Sequence, residues 1–342
     1  MSKYSKNPHR HPTGAGSCKP QWWDALIGVV PGVTDWQPQL VDSHPPFPLP
    51  AAGHEKFGIA PSRNDRLPEK GDLQRRPGTP PMACGSRTGR DGRLLFEPAR
   101  VTPLHAWHVR RGAEFEDTGL WRRPWFFPKQ GENLHQAVAR ECQASRRSVG
   151  IMDTSARGGI VIQGADARTL LNRTYTHTGL DVGKCCYGQL RKEDGSLIDD
   201  DVITCLGDNR FLITPHDDTE GVLQWLELWQ RSECPELEVS LTDVTDHWAT
   251  MTVSGPASRK VLEKVAEDVE LSGKTFRPMD WRPATLAGVE AHIFRISFTG
   301  ELSFDVKVRA SYGLYVWEAL MEAGDEFSIT PCGTEAMQVL MA

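Results

Sequence analysis

A chain of 342 residues with 39% hydrophobic and 25% charged side chains has material for one large domain or two ordinary ones around a buried core. Its net charge of -6 argues against nucleic acid as a main partner, because that partner demands a basic surface. No apolar run reaches the roughly 20 residues of a membrane span, and no apolar stretch follows the basic start as in a secretory signal, so the default compartment is the cytoplasm.

Residues 1–92 hold most of the prolines: 15 of the 24 fall within the first 100 positions. Apolar periodicity of 2 or 3.6 is hard to find there, and such a stretch buries too little surface to offset its chain entropy. It reads as a disordered or non-homologous leader. Nowhere does G-x-G-x-x-G occur, so no dinucleotide fingerprint is present. The eight cysteines form no C-x-x-C pair, and they read as reduced core or surface thiols rather than metal ligands.

Residues 93–148 form an aromatic-rich lead-in segment, with Trp121, Trp125, Phe126 and Phe127 clustered, followed by a helix over Glu132 to Arg147. In that helix Leu134, Val138, Cys142 and Ser145 recur at helical spacing. From 149 onward the chain repeats a plan. In the first copy a strand over Gly159 to Gln163 turns at Gly164 into a helix through Leu170 and Leu171. A hairpin from Tyr187 to Thr204, a strand from Arg210 to Thr214 and a helix capped by Asp217 or Asp218 follow. In the second, a strand over Ala249 to Val253 turns at Gly255 into a helix through Val261, Leu262 and Val265. A hairpin pairs Ala291 to Ser297 with Leu302 to Val308, and a helix from Ser311 ends at Gly324, a glycine suited to a C-cap. A β-α-β-β-α order used twice predicts an α+β fold: two ferredoxin-like, split β-α-β halves sharing a core over 149–342.

Two acidic features stand out. Asp199, Asp200 and Asp201 interrupt an apolar strand, and alternation puts Asp199 and Asp201 on one face and Asp200 on the other. At least one carboxylate then points toward the core side, where an unpaired charge is costly and hints at a cavity or ligand. Glu301 sits at the tip of the second hairpin.

As a set, several segments resemble the successive motifs of the glycine-cleavage T-protein superfamily: Arg147 to Asp153 (RSVGIMD), Gly164 to Ala167 (GADA), Leu170 to Arg173 (LLNR), Asp194 to Asp200 (DGSLIDD), Gly255 to Ala257 (GPA) and Phe298 to Leu302 (FTGEL). Within it, Thr102 to His108 (TPLHAWH), Trp121 to Trp125 (WRRPW), Ala137 to Glu141 (AVARE) and Ile329 to Met337 (ITPCGTEAM) are more similar to the sarcosine oxidase alpha-subunit branch than to a free-standing T-protein. The resemblance runs collinearly over about residues 93–340.

What the resemblance implies is a tetrahydrofolate site and one-carbon transfer from oxidised sarcosine to folate. An acid of the Ile-Asp-Asp motif lies beside the folate amines, which carries over to Asp199 and Asp200, with the choice between them open. The glutamate of the Thr-Gly-Glu motif, Glu301, holds the pterin ring, and Tyr187 and Arg295 are wall residues. FAD and NAD are implied only for the full oxidase complex, together with flavin-carrying partner subunits. A glycine-cleavage-type aminomethyltransferase is one alternative. Others are a folate-binding iron-sulfur assembly factor, faintly echoed in Lys184-Cys185-Cys186-Tyr187, and an inactive fragment. The branch continues past Glu335-Ala336-Met337 into a further β-rich domain, so the chain is expected to be a truncated, partial gene product lacking that domain.

Overall fold

The computed structural model describes residues 100–176, 179–192, 194–216 and 218–341; the proline-rich leader over 1–92 and the alternative cap Asp217 lie outside them. The lead-in segment holds β1 (Arg100–Val101), α1 (His105–Arg110), β2 (Glu114–Thr118), β3 (Trp121–Phe126) and α2 (Leu134–Arg147). Its strands form a small sheet in the order β1-β3-β2. Helix α2 starts at Asn133, whose side chain accepts from the Gln136 N–H while the Gln136 side chain accepts from the Asn133 N–H, a reciprocal cap.

The first half then runs β4 (Gly150–Asp153), β5 (Ile160–Gln163), α3 (Ala167–Thr174), β6 (Cys185–Arg191), β7 (Leu197–Gly207), β8 (Arg210–Thr214) and α4 (Thr219–Ser232). The second runs β9 (Ser240–Asp243), β10 (Trp248–Ser254), α5 (Ser258–Val265), β11 (Trp281–Leu286), β12 (Val289–Phe294), β13 (Ser303–Arg309) and α6 (Gly313–Gly324). Strand β14 (Thr330–Cys332) and α7 (Thr334–Met341) follow. The α+β duplication is present, and each half is richer than β-α-β-β-α: both carry a lead strand, β4 or β9, and β11 completes the second copy.

The lead strands are exchanged. Strand β4 precedes the first half yet pairs with β10 of the second, from Asp153↔Met251 to Gly150↔Ser254. Strand β9 precedes the second half yet pairs with β5 of the first, from Ile160↔Asp243 to Gln163↔Ser240. The turns that follow match. Asp153 Oδ1 accepts from the Ser155 N–H and hydroxyl, and Asp243 Oδ1 accepts from the Thr245 N–H and hydroxyl. These aspartates hold tight turns through the backbone two residues on. The result is a five-stranded sheet, β6-β7-β8-β5-β9, and a six-stranded sheet, β11-β12-β13-β10-β4-β14.

Alternation gives each sheet a helix-covered face and a face turned to the other sheet. Ile160, Ile162, Ile203, Phe211 and Ile213 pack under α3 and α4 with Leu171, Val222 and Leu226. Met251, Val253, Ile293, Phe304, Val306 and Val308 pack under α5 and α6 with Val261, Leu262, Val316 and Trp317. Between the sheets, Val161, Cys185, Val202 and Leu212 meet Trp281, Phe294 and Ile296. One corner is stitched by backbone: Cys185 N–H donates to Met279 O at 2.7 Å and Trp281 N–H to Gly183 O at 3.0 Å. Lys184 and Asp280 form an ion pair beside them.

Asp218 caps α4, accepting from Gly221 N–H at 2.9 Å. Gly324 ends α6 for a different reason from the one expected. Its φ is -88°, not left-handed, and a Cβ there would lie 2.6 Å from Ile329 Cβ, so glycine is needed for space. The left-handed residue is Ser328, at φ 55°. Among the described residues no helix is long and apolar enough to cross a membrane.

Candidate functional site

Strand β7 distributes its three aspartates by alternation. Asp199 and Asp201 lie on the helix side with Ile203 and Cys205. Asp199 Oδ1 accepts from the Asp200 N–H at 2.9 Å and Oδ2 from the His216 N–H at 3.2 Å, so it braces the loop after β8. Asp201 is fully buried; the Tyr175 hydroxyl donates to its Oδ2, and its Oδ1 has no hydrogen-bond donor among the described residues. Burial pushes its pKa up to about 8, against the pull of the Tyr175 hydrogen bond. Asp200 is exposed, opposite Gln189 and on the same face as Val202, which turns to the other sheet.

On that face Tyr187, half-exposed, pairs across from Val202, and its hydroxyl donates to Ser297 O at 3.3 Å. Its ring meets Phe298 edge-on at 6.1 Å. Tyr187 is thereby brought to the turn that carries Glu301, whose Gly300 needs φ 76°. The Glu301 side chain is engaged with Arg146 of α2 at 3.4 Å; burial raises its pKa and Arg146 opposes the rise. Arg295 is not brought to this group. It follows β12 with its guanidinium donating to Phe276 O, on the side of Arg259.

On the sheet that Tyr187 faces is a polar strip that the sequence reading missed. On β13, Phe304, Val306 and Val308 serve the helix side, so Ser303, Asp305 and Lys307 face the first sheet, and all three are buried. Asp305 accepts from Thr252 Oγ1 at 2.6 Å. Burial raises its pKa, opposed by Arg157, Thr252 and Lys307. Lys307 Nζ donates to Thr250 Oγ1 at 3.3 Å, and burial lowers its pKa to about 8. Ser303 Oγ is buried with no hydrogen-bond partner among the described residues. Arg157, from the turn after β4, lays its guanidinium 4.0 Å over the Phe298 ring. The signal was in the sequence: Ser303, Asp305 and Lys307 alternate with three apolar residues in a strand with no face left for water.

Arranged this way, the facing sheets offer an exposed carboxylate at Asp200, aromatic side chains at Tyr187 and Phe298, and a buried carboxylate at Asp305 on the same strand face as the Ser303 hydroxyl. A flat, polar-edged ring with amine and ring N–H donors fits such a set, because a carboxylate accepts two parallel donors with charge assistance.

The GCVT N-terminal domain model matches residues 104–342. The chain belongs to this family. It is 47% identical over 266 residues to the sarcosine oxidase subunit alpha of Corynebacterium sp. (strain P-1), covering 77% of this chain and 28% of that relative. It thus spans little more than a quarter of that relative's length. It is also 30% identical to an aminomethyltransferase of Halothermothrix orenii, over 70% of this chain and 64% of the relative. In fold, the glycine cleavage system aminomethyltransferase T of Bartonella henselae superposes with a TM-score of 0.60 at 22% identity, over 71% of this chain and 62% of that structure. The family and its fold are those that the motifs from Arg147 to Leu302 implied.

Proposed function

We propose that the crevice between the two sheets binds tetrahydrofolate, and that this chain is the folate-binding part of a sarcosine oxidase alpha subunit. The reaction passes the one-carbon unit of oxidised sarcosine to tetrahydrofolate, giving 5,10-methylenetetrahydrofolate and glycine. The observation that carries the reading is the buried strip of Ser303, Asp305 and Lys307 on the face turned toward Tyr187 and Phe298. The 47% identity to a sarcosine oxidase alpha subunit supports the choice of reaction.

In this reading Asp305, rather than Glu301, takes the pterin edge, since Glu301 is occupied by Arg146. Tyr187 and Phe298 wall the ring. Asp200 is the catalytic acid of the pair left open by the motif: it orients the folate amine and stabilises positive charge developing there. Asp199 supports it from behind by holding the His216 loop. FAD and NAD belong to the complete oxidase, with flavin-carrying subunits as partners. The iron-sulfur alternative fits less well, because burial pushes the Cys186 thiol up to about 11, away from the thiolate such chemistry needs.

The test is an anaerobic titration of tetrahydrofolate into the purified chain, followed by tryptophan fluorescence. Saturable binding is expected, weakened at least tenfold by Asp305→Asn and little by Glu301→Gln, with Asp200→Asn retaining affinity. No saturation by a folded chain, or equal affinity in Asp305→Asn, overturns the reading.

A further inference from the structure

Lys307 has no obvious reason to be where it is. A lysine that is 4% exposed is costly, and methionine would fill the same space. Its one hydrogen bond is the 3.3 Å contact to Thr250, and among the described ion pairs none includes it. Around it lie Thr250 on β10 and His292, its cross-strand neighbour on β12. His292 is kept neutral-leaning by burial and by Lys307 itself, so it supplies no counter-charge. Among the described residues the carboxylate acting on Lys307 is Asp305, two positions back on the same face of β13.

Asp305 needs such a cation. It takes one hydrogen bond, from Thr252, which leaves its other oxygen free. The groups that act on it are Arg157 from the turn after β4, Thr252 from β10, Lys307 from its own strand, and Tyr187 and Cys185 from β6. The last two are neutral at physiological pH, since burial raises both. Arg157 is already committed to the Phe298 ring and to Met337 Sδ at 3.5 Å. Lys307 is therefore the cation whose place on the strand is explained only by Asp305.

We propose that Lys307 is a positioning residue for the pterin: a buried counter-charge behind Asp305 that keeps the carboxylate ionised and its free oxygen turned to the ligand. This rests on the folate reading above. Lys307 touches no ligand itself; it acts through Asp305. The amine and the carboxylate lie too far apart for an ion pair, which lets Asp305 keep an oxygen for the ligand that a direct bridge would occupy.

The experiment measures tetrahydrofolate affinity by tryptophan fluorescence from pH 5.5 to 8.5 for the wild-type chain, Lys307→Met and Lys307→Arg. Removing a cation acting on a buried carboxylate moves its titration by about one unit. Lys307→Met is then expected to bind more weakly on the acid side, by a factor that grows toward about tenfold as pH falls and shrinks toward one as pH rises. Lys307→Arg restores the acid limb. A loss that is uniform across pH, or no loss, overturns the proposal and makes Lys307 a packing residue. A ligand-free measurement separates this from failure of the folate reading: ¹⁵N NMR of the lysine Nζ groups, with Lys307 assigned by its absence in Lys307→Arg. In Asp305→Asn the Lys307 titration is expected to fall by about one unit. No movement there refutes the coupling even if folate binds; movement without any folate binding keeps the coupling and refutes only the ligand.

Discussion

Replacing Asp201 by asparagine should stabilise the protein above neutral pH and leave it unchanged near pH 4. Asp201 is fully buried, with one oxygen on the Tyr175 hydroxyl and the other without a hydrogen-bond donor among the described residues. Its pKa rises from 3.8 to about 8 on folding. A carboxyl whose folded pKa is raised stays protonated in the fold while the unfolded chain ionises. Its contribution is therefore intact below pH 3.8 and is lost as pH rises through about 8. Four pH units at 1.36 kcal/mol each set a ceiling of about 5 kcal/mol, of which about 4 kcal/mol has accrued by pH 7. Relaxation and water penetration reduce such buried-carboxyl costs, so we expect a gain of about 1–3 kcal/mol for Asp201→Asn at pH 8. Asparagine keeps the acceptor for Tyr175 and cannot ionise. Urea denaturation of both proteins at pH 4.5, 6 and 8 tests this, with the gap in midpoint widening as pH rises. A gap that is constant with pH, or a less stable variant at pH 8, refutes the reasoning.

The same type of change at Glu141 should act in the opposite direction. Its two oxygens accept from the Phe127 N–H at 2.7 Å and the Gly333 N–H at 2.8 Å, so Glu141→Gln turns an NH₂ against a backbone donor and costs about 1–3 kcal/mol in urea denaturation. Because burial raises Glu141 to about 7, that cost should shrink between pH 4.5 and 7, as the wild type loses stability over this window. Asp153→Asn should cost about 3–5 kcal/mol, since it removes the charge shared by His108, Thr102 and Ser155 in a sealed site. Burial alone would raise the Asp153 pKa, but those hydrogen bonds outweigh it and hold it below 3.8, so this contribution is present above pH 3.8 and lost only on acidification below it. Gly333→Ala should lower the melting temperature by several degrees in a calorimeter, because a Cβ there would lie 2.0 Å from Trp125 O and the backbone must move.

Local signals explain what was legible beforehand. The strand Arg210–Thr214 and the helix ending at Arg147 carry their own periodicity and turn residues, and both lie where expected. The duplication was visible because Gly164 and Gly255 mark the same strand-to-helix turn. Strands β4 and β9 were not legible, since four-residue strands that pair outside their own half leave no local trace. The site divided along the same line. Alternation separated Asp200 from its neighbours, and the structure brings Tyr187 to the turn that carries Glu301. Arg295 was named as a wall residue on the resemblance alone, yet one step along the chain from Phe294 turns its side chain to the helix side. Asp305 was overlooked because a charge among valines reads as an exposed strand edge until both faces are known to be covered.

Trading the lead strands ties the fate of the two halves together. A chain cut between α4 and β9 would leave the first piece without the strand that flanks β5, and the second without the one between β10 and β14. Each fragment would expose a bare sheet edge, a template for aggregation. Neither half is then an independent folding unit despite its own helices and hydrophobic face. Unfolding should be a single transition, and folding should await contacts nearly a hundred residues apart in sequence. Two separately synthesised halves would recover the fold only by passing a strand to each other, as partners in a domain-swapped dimer do.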